Sequence, residues 1–386
     1  MNLSKLEQYA NDHQLEVLRA VQKHGSASAA AKKLGKDRRG IDRTIDRVKV
    51  NAAKQGYSPE HDMNQTVPDG YLVKGVSTLY NEDGGIKAQW VKSLIDPEKQ
   101  GAMYQAAISA MSSDIKKTKP IKRLAKAVNS DLLSLYIITD YHLGMLAWGE
   151  ETGADWDIQI AEDLLFAWFQ EAIKSAPPSE TAILGQLGDL LHYDGMEAVT
   201  PSSGHALDAD TRFAKVVRVA IRAFRRIVTQ LLNKHENVHI IHAEGNHDLA
   251  SSIWLREMFA ALYEDEPRVT VDQSPDPYYC YEFGDVSLFV HHGHKKKPES
   301  IDEVFAAKFR EVFGRTKHSY GHMGHMHHKK AIETTLMTIE QHRTLASPDA
   351  YASRGGWMSG RGSSVITYHR NHGEVSRTSI TPEMLS

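Results

Sequence analysis

The chain has 386 residues, of which 41% are hydrophobic and 25% are charged. This composition is typical of a globular protein and excludes a fibrous or largely disordered chain. No apolar run approaches the roughly 20 residues of a membrane span, and the N-terminal MNLSKLEQYANDHQ lacks the apolar stretch of a signal peptide. We therefore expect a cytoplasmic protein without membrane contact. The single cysteine, Cys280, cannot build a thiolate metal site, so metal ligands would have to be His, Asp, Glu or Asn.

Charge and histidine are unevenly distributed along the chain. Residues 1–126 carry 22 Lys and Arg against 14 Asp and Glu, whereas the remaining residues carry 24 against 35. A basic first part beside an acidic second part suggests an arm that meets a polyanion and a body that holds cations. Eight of the 21 histidines fall within residues 291–328, a density that favours metal binding.

Residues 1–60 predict three helices. The first ends at Gly25, and Ser26 can cap the second. The second ends at Gly35, and Asp37 can cap the third. Short helices joined by turns of this kind are typical of a small helical domain.

The third helix combines an apolar stripe with exposed arginines. The apolar residues recur at i, i+4 and i+7 and are Ile41, Ile45 and Val48. Four arginines fall on the other faces of the helix: Arg38, Arg39, Arg43 and Arg47. The stretch GSASAAAKKLGKDRRGIDRTIDRVK resembles the helix-turn-helix units of bacterial and phage DNA-binding proteins, which implies that these arginines contact DNA. A helical packing or dimerisation module is the alternative.

Residues 61–115 predict a β-hairpin and helical connector. Two β-rich runs flank NEDGG, a strong hairpin signal, and the hairpin is either a wing beside the third helix or a packing element. Residues 116–130 then form a basic linker, with six cations in DIKKTKPIKRLAKA. The linker is either a solvated segment or a contact for phosphate.

From residue 131 to residue 386, strands and helices alternate. Four apolar runs (LLSLYIIT, ETAILGQL, NVHIIHA and DVSLFV) are each followed by a polar cluster (DYHLG, GDLLH, EGNHD and HHGH), with helical segments at 158–174 and 211–234. This order predicts an α/β fold with a mainly parallel sheet buried on both faces. Ligands of such sheets gather at the carboxyl ends of the strands, where the polar clusters lie.

The polar clusters supply seven candidate metal ligands. Residues two apart in an extended strand end point to the same side, which would let Asp140 act with His142, and His325 with His327. The carboxylate of Asp189 can bridge two cations. The seven ligands contain no sulfur and suit a pair of Mn²⁺, Fe, Zn²⁺ or Mg²⁺ ions: Asp140, His142, Asp189, Asn246, His292, His325 and His327.

The ordered motifs DxH, GD, GNHD, HG and GHxH resemble those of the calcineurin-like metallophosphoesterase superfamily over residues 131–330. Within it, DYHLG with GDLLH and GNHD is similar to the SbcD-type DNA repair nucleases. The resemblance implies a βαβαβ sandwich of two packed sheets flanked by helices. It also implies two divalent ions, with Mn²⁺ first and Mg²⁺, Fe, Zn²⁺ or Ni²⁺ as alternatives.

The resemblance also assigns roles. It implies that one ion is held by Asp140, His142, Asp189 and His327, and the other by Asp189, Asn246, His292 and His325. It implies that His247 protonates the leaving oxygen while Asp248 orients the His247 ring, and that His192 helps to place a DNA strand. The neighbouring histidines are expected outside the ligand set: His291, His294, His322 and His328.

A DNA-reading element joined to a two-metal phosphoesterase predicts a phosphodiesterase that cuts or nicks DNA, a layout similar to that of phage-encoded phosphoesterases. The alternatives are a phosphatase or cyclic-nucleotide phosphodiesterase whose N-terminal part serves assembly, and a DNA-binding regulator with a vestigial catalytic domain. A homodimer is compatible with all three. The late stretch YASRGGWMSGRGSS either lines the substrate groove, through its glycines, Arg354 and Arg361, or closes a sheet.

Overall fold

The computed structural model describes residues 3–54, 71–80, 86–95, 128–201 and 204–385. The chain divides into two compact units, Met1–Gln105 and Ala106–Ser386. Most of the proposed linker, residues 116–130, lies outside the described residues, and the domain boundaries proposed from the sequence stay predictions.

The first unit begins with a short 3₁₀ helix and three α-helices: Leu3–Tyr9, α1 (Asp12–His24), α2 (Ala27–Leu34) and α3 (Arg38–Lys54). The predicted helix ends are confirmed, because Gly25 and Gly35 adopt left-handed backbone angles at the ends of α1 and α2. Ser26 Oγ accepts the Ala29 N–H, which satisfies a free donor in the first turn of α2.

Small apolar clusters hold the three helices together. Ile41 of α3 packs with Val17 and Ala31, and all three side chains are buried. Two strands, β1 (Tyr71–Tyr80) and β2 (Ile86–Ile95), pair antiparallel as the hairpin pattern predicts. The NEDGG turn between them lies outside the described residues.

The second unit contains eleven strands and seven α-helices within the described residues. The strands are β3 (Asn129–Ile138), β4 (Ser179–Gln186), β5 (Asn237–His242), β6 (Val269–Val271), β7 (Tyr279–Phe283), β8 (Val286–Val290), β9 (His318–Met323), β10 (Lys330–Glu333), β11 (Thr338–Gln341), β12 (Ser363–His369) and β13 (Gly373–Ile380). The helices are α4 (Gly149–Thr152), α5 (Ile158–Ser175), α6 (Phe213–Leu232), α7 (Leu249–Leu262), α8 (Asp302–Lys308), α9 (Arg310–Arg315) and α10 (Ala350–Arg354).

These strands form two sheets. The six-stranded sheet has the order β13-β12-β3-β4-β5-β6, in which β3 to β6 run parallel and β12 and β13 are antiparallel additions. The five-stranded sheet has the order β10-β11-β9-β8-β7, with β8, β9 and β11 parallel. The carboxyl ends of the parallel strands in each sheet therefore share one edge.

The six-stranded sheet is buried on both faces, which explains why its central strands read as continuous apolar runs. One face packs on the five-stranded sheet through side chains such as Leu135, Ile183 and Val286. The other face is covered by α5, α6 and α7, where Trp168 and Phe224 are buried. The predicted α/β class, with two packed sheets flanked by helices, is confirmed. Among the described helices, none has the length and apolar character to cross a membrane.

Candidate metal centre

The seven candidate ligands come together beyond the ends of five strands. Asp140 and His142 follow β3, Asp189 follows β4, and Asn246 follows β5; His292 follows β8, and His325 and His327 follow β9. The topology therefore delivers side chains from both sheets to one place. Two groups result, and in each the candidate ligand atoms lie within 4.8 Å of one another.

The first group contains Asp140, His142 and His327. His327 Nε2 lies 3.2 Å from Asp140 Oδ1 and 3.3 Å from His142 Nε2. Three donor atoms thus converge on a small volume, as the ligands of a transition-metal ion do.

The second group contains Asp189, His292 and His325, with Asn246 beside them. His292 Nε2 lies 3.1 Å from Asp189 Oδ2 and 3.1 Å from Asn246 Oδ1. The same nitrogen is 3.9 Å from Asp140 Oδ1, so the two groups are neighbours. The chain therefore offers two adjacent places for a cation.

Asp189 differs in one respect from the bridging arrangement that the sequence suggests. Its Oδ2 faces His292, but its Oδ1 accepts the backbone N–H of His247 at 2.8 Å. The geometry places Asp189 in the second group. Bridging of two ions by this carboxylate stays a proposal.

Further hydrogen bonds orient the candidate ligands. The Nδ1 of His292 lies 2.9 Å from the carbonyl of Leu187, a contact that fixes the ring with Nε2 towards the carboxylates. Thr139 Oγ1 donates to Asp140 Oδ2 at 2.6 Å, and the His325 N–H contacts both oxygens of Asp140 at 3.0 and 2.9 Å. These hydrogen bonds therefore fix the orientation of the candidate ligands.

The backbone is strained where the ligands lie. Five non-glycine residues in the described chain have positive φ angles, and all five are candidate ligands: Asp140 (49°), His142 (49°), Asp189 (54°), His325 (77°) and His327 (56°). Left-handed backbone costs about 1–2 kcal/mol for a residue other than glycine, and Asp and His tolerate it better than most. The expectation of extended strand ends is therefore wrong, because left-handed backbone, and not the alternation of a strand, places Asp140 and His142 in the first group. It also places His325 in the second group and His327 in the first.

The glycines of the motifs make room for this packing. A Cβ on Gly188 would lie 2.4 Å from His292 Nδ1, and one on Gly245 would lie 1.9 Å from Asp189 Oδ1. A Cβ on Gly324 would lie 2.5 Å from Asp140 Oδ2. The GD, GN and GH pairs are thus steric requirements of the cluster.

The electrostatics of the cluster suit divalent cations. Asp140 and Asp189 are buried, which by itself would raise the pKa of each carboxyl, but His327 and His292 hold the Asp140 pKa well below its ordinary value. His292 likewise holds the pKa of the neighbouring Asp189 carboxyl well below its ordinary value. In return, although burial opposes it, the two carboxylates raise the pKa of His292 to about 9. The buried carboxylate oxygens are hard donors and the imidazole nitrogens are borderline donors. The residues present therefore fit two divalent ions.

His247 lies beside both groups and lines the same cavity. Its Nδ1 donates to the carbonyl of His192 at 2.8 Å, which leaves Nε2 as the nitrogen available to a bound molecule. Among the described residues, Asp248 makes no hydrogen bond to the His247 ring, in contrast to the expectation from the sequence. The buried Asp248 carboxylate instead accepts the N–H groups of Leu191 and Gly245, each at 3.1 Å, and burial raises its pKa to about 8. Asp248 therefore holds the two loops together, and the backbone of His192 orients the ring.

The His192 side chain is buried, and burial lowers its pKa to about 3. Its ring stacks on His247 with centroids 5.6 Å apart, and its Nδ1 lies 3.4 Å from His142 Nδ1. His142, His192 and His247 form a third group that could hold an ion, so the geometry alone leaves His247 two roles. His322, by contrast, contacts His342 and Tyr368 through its two ring nitrogens, as expected for a histidine outside the ligand set.

A cavity of about 640 Å³ opens beside the cluster. One wall carries candidate ligands and His247, and a second wall is formed by residues between β11 and β12. Arg361 lines this cavity, whereas Arg354 pairs with Glu151 outside the lining. The sequence pattern indicates the glycines and arginines of this stretch but not the aromatic Tyr351 and Trp357, whose only sequence signal is their place in a glycine-rich segment.

The arginines proposed for DNA contact lie on α3 of the first unit, and all four are exposed: Arg38, Arg39, Arg43 and Arg47. Arg38 pairs with Asp42 at 3.7 Å. The other three follow one another at i, i+4 and i+8 and have no ion pair within the described residues. They form a positive stripe along one face of the helix.

No protein-family model and no curated protein matches the chain. One solved structure that the chain resembles is a predicted phosphoesterase from Streptococcus pneumoniae. The sequence identity is 10% and the TM-score is 0.28, and the alignment covers 65% of this chain and 99% of the S. pneumoniae chain. A dimetal phosphatase from Danio rerio has 10% identity, coverage of 64% and 98%, and a TM-score of 0.34. An archaeal phosphodiesterase has 12% identity, coverage of 64% and 98%, and a TM-score of 0.32. Similarity of this size carries no argument about activity.

Proposed function

We propose that the chain is a phosphodiesterase that uses two divalent ions, with Mn²⁺ as the first candidate. The observation that supports the proposal is the pair of adjacent Asp and His groups beside a cavity that also contains His247. In this proposal the first group and the second group, with Asn246, each hold one ion. Two such ions would supply a reactive water and neutralise the phosphate oxygens.

The residues of the chain supply the remaining functions. The carbonyl of His192 fixes His247 so that Nε2 faces the cavity, where it can donate a proton to the leaving oxygen. Asp248 keeps the loops of Asp189 and His247 in register through its two backbone contacts. His192 stacks on His247 and thereby restricts the ring.

Replacement of His247 by Asn tests these assignments. With Mn²⁺-loaded protein and the dinucleotide thymidylyl-(3′→5′)-thymidine as substrate, whose alkoxide leaving group needs a proton, we expect His247→Asn to lose turnover while its Mn content, measured by elemental analysis, stays that of the wild type. His205→Asn, an exposed histidine outside the cavity lining, is the control. Loss of metal from His247→Asn would mean that this residue is a ligand, as the third histidine group permits.

We further propose that the phosphodiester belongs to DNA and that the α3 stripe delivers it, so that the protein acts as a nuclease or nickase. The support is the exposed row of Arg39, Arg43 and Arg47 on α3, which have no ion pair with any described residue, together with the motif resemblance to SbcD-type nucleases. Cations in such a row bind the phosphate backbone regardless of sequence. Activity with Mn²⁺ on supercoiled, linear and single-stranded DNA, compared between wild type and His247→Asn, tests this step.

The alternative is a phosphatase or cyclic-nucleotide phosphodiesterase in which the first unit serves assembly, for example as a homodimer. Hydrolysis of small phosphate esters without any salt-dependent DNA binding would favour it.

A further inference from the structure

The cavity beside the candidate metal centre has a second wall of a different chemical kind. The first wall is polar and carries Asp189, Asn246 and His247. The second wall is formed by residues 344–361, between β11 and β12, and includes Tyr351 and Trp357. A cavity of about 640 Å³ is within the range of about 300–1,000 Å³ found for small-molecule sites. A substrate bound at the cluster would therefore share one cavity with both walls.

Tyr351 and Trp357 form an aromatic pair with free surface. Their ring centroids lie 5.1 Å apart at an interplanar angle of 64°, yet Tyr351 is 69% exposed and Trp357 is 59% exposed. The indole lies over Gly355, where a Cβ would be 3.1 Å from the ring. Gly355 therefore packs against one part of the indole, and the exposed part of Trp357 lines the cavity. Large exposed aromatic surface beside a polar site is typical of ligand contact.

The segment that carries the aromatic pair is anchored by contacts to another part of the chain. Ser353 Oγ donates to the carbonyl of Glu151 at 2.7 Å, and Arg354 pairs with the Glu151 carboxylate at 2.8 Å. Ser347 Oγ donates to the carbonyl of Ala154 at 2.7 Å, and Asp349 caps α10 through the Ala352 N–H. Because these contacts fix the segment, stacking on it would not first have to order a loop.

We propose that Trp357, supported by Tyr351, stacks on the base of the nucleotide next to the scissile phosphodiester. This inference rests on the proposed phosphodiesterase function. A base offers a flat π-face to the rings and polar edges to the other groups of the wall, Asp349, Ser359 and Arg361. The substrate class is therefore a nucleoside-bearing phosphodiester.

The base that stacks there is unpaired. Inside a duplex, both faces of a base are covered by its neighbours, so an indole reaches a base face only in a single strand, a frayed end or a flipped nucleotide. The active form of a DNA substrate is then single-stranded at the cut.

Two esters with the same leaving group test the inference. Thymidine 5′-(p-nitrophenyl phosphate) carries a base on its second arm, and methyl p-nitrophenyl phosphate carries none. The measured quantity is the ratio of kcat/KM for the thymidine ester to that for the methyl ester, with Mn²⁺-loaded full-length protein. Stacking of a base is lost with alanine, so we expect this ratio to fall about 5- to 150-fold in Trp357→Ala and to stay near wild type in Trp357→Phe.

Trp148→Ala is the matched control, because Trp148 is 62% exposed and lies outside the cavity lining. Its ratio should equal that of the wild type. An unchanged ratio in Trp357→Ala, or a wild type without preference for the thymidine ester, would overturn the inference and leave the phosphodiesterase standing. Failure of the metal-loaded wild type to hydrolyse either ester would overturn the proposed function, and the inference with it.

Discussion

The contact between Gly245 and Asp189 allows a quantitative prediction. In Gly245→Ala, the new methyl group would lie 1.9 Å from Asp189 Oδ1 and 2.2 Å from the Asp189 backbone nitrogen. Ordinary contact begins at 3.4 Å, so the two loops would have to separate by about 1.2 Å to clear the backbone nitrogen alone. Because one of the obstructing atoms is backbone, a rotation of a side chain cannot relieve the overlap.

Overpacking of this kind costs about 1–3 kcal/mol, and we expect the upper end for Gly245→Ala. A displacement of more than 1 Å in the ligand loop should also reduce turnover by about 10²-fold or more. Urea unfolding followed by circular dichroism gives the free energy of unfolding, and elemental analysis gives the Mn content, which should fall as well.

Gly314→Ala is the control for this prediction. Gly314 lies in α9, where a Cβ would meet no atom within 4 Å, so alanine should stabilise the protein by up to about 1 kcal/mol. If Gly245→Ala instead kept wild-type stability and bound a full complement of Mn, the close approach of these two loops would be refuted.

Three further predictions concern pH, salt and metal. Burial lowers the pKa of His235 to about 4, below the value near 6.5 of the unfolded chain, so the unfolded state binds the proton first. The contribution of His235 to the free energy of unfolding is then fully present above pH 6.5 and is lost as the pH falls towards 4. In His235→Gln, the free energy of unfolding should fall less steeply with decreasing pH, by up to about 1.4 kcal/mol per pH unit. Identical slopes for the variant and the wild type in urea titrations would contradict this. Arg43→Ala should reduce the slope of log affinity for DNA against log salt by about 0.9, whereas Arg19→Ala, whose guanidinium pairs with Glu7, should not change it. Mn²⁺ at about 100 times its dissociation constant should raise the free energy of unfolding by about 2.7 kcal/mol for each ion bound, measured in a calorimetric scan. A scan insensitive to both Mn²⁺ and chelator would argue against the metal centre.

The sheet and the gathering of candidate ligands could be predicted because they depend on local pattern. Continuous apolar runs such as that of β4 require burial on both faces, and parallel strands bring their carboxyl ends to one edge. Asp189 and Asn246 follow neighbouring strands, so their proximity follows from strand order alone.

Details that depend on the path of the loops could not be predicted. The left-handed backbone of Asp140 and His142 could not be predicted, because Asp and His also adopt extended backbone and residue type alone does not distinguish the two. The role of the His192 carbonyl cannot be read from side chains, because any residue supplies a carbonyl. The aromatic wall depends on how residues 344–361 fold back over the cavity, and the contacts of Glu151 that hold it come from a distant part of the chain.

The separation of the two cavity walls along the chain has a consequence for how such a protein could be altered. The candidate ligands come from five different loops whose conformations depend on one another, whereas the second wall is one uninterrupted stretch between β11 and β12. Under the proposed function, exchange of that single stretch, with its attachment to Glu151 retained, would leave the hydrolytic chemistry intact while substituting one recognition surface for another. Selectivity would then be modular, and reactivity would not.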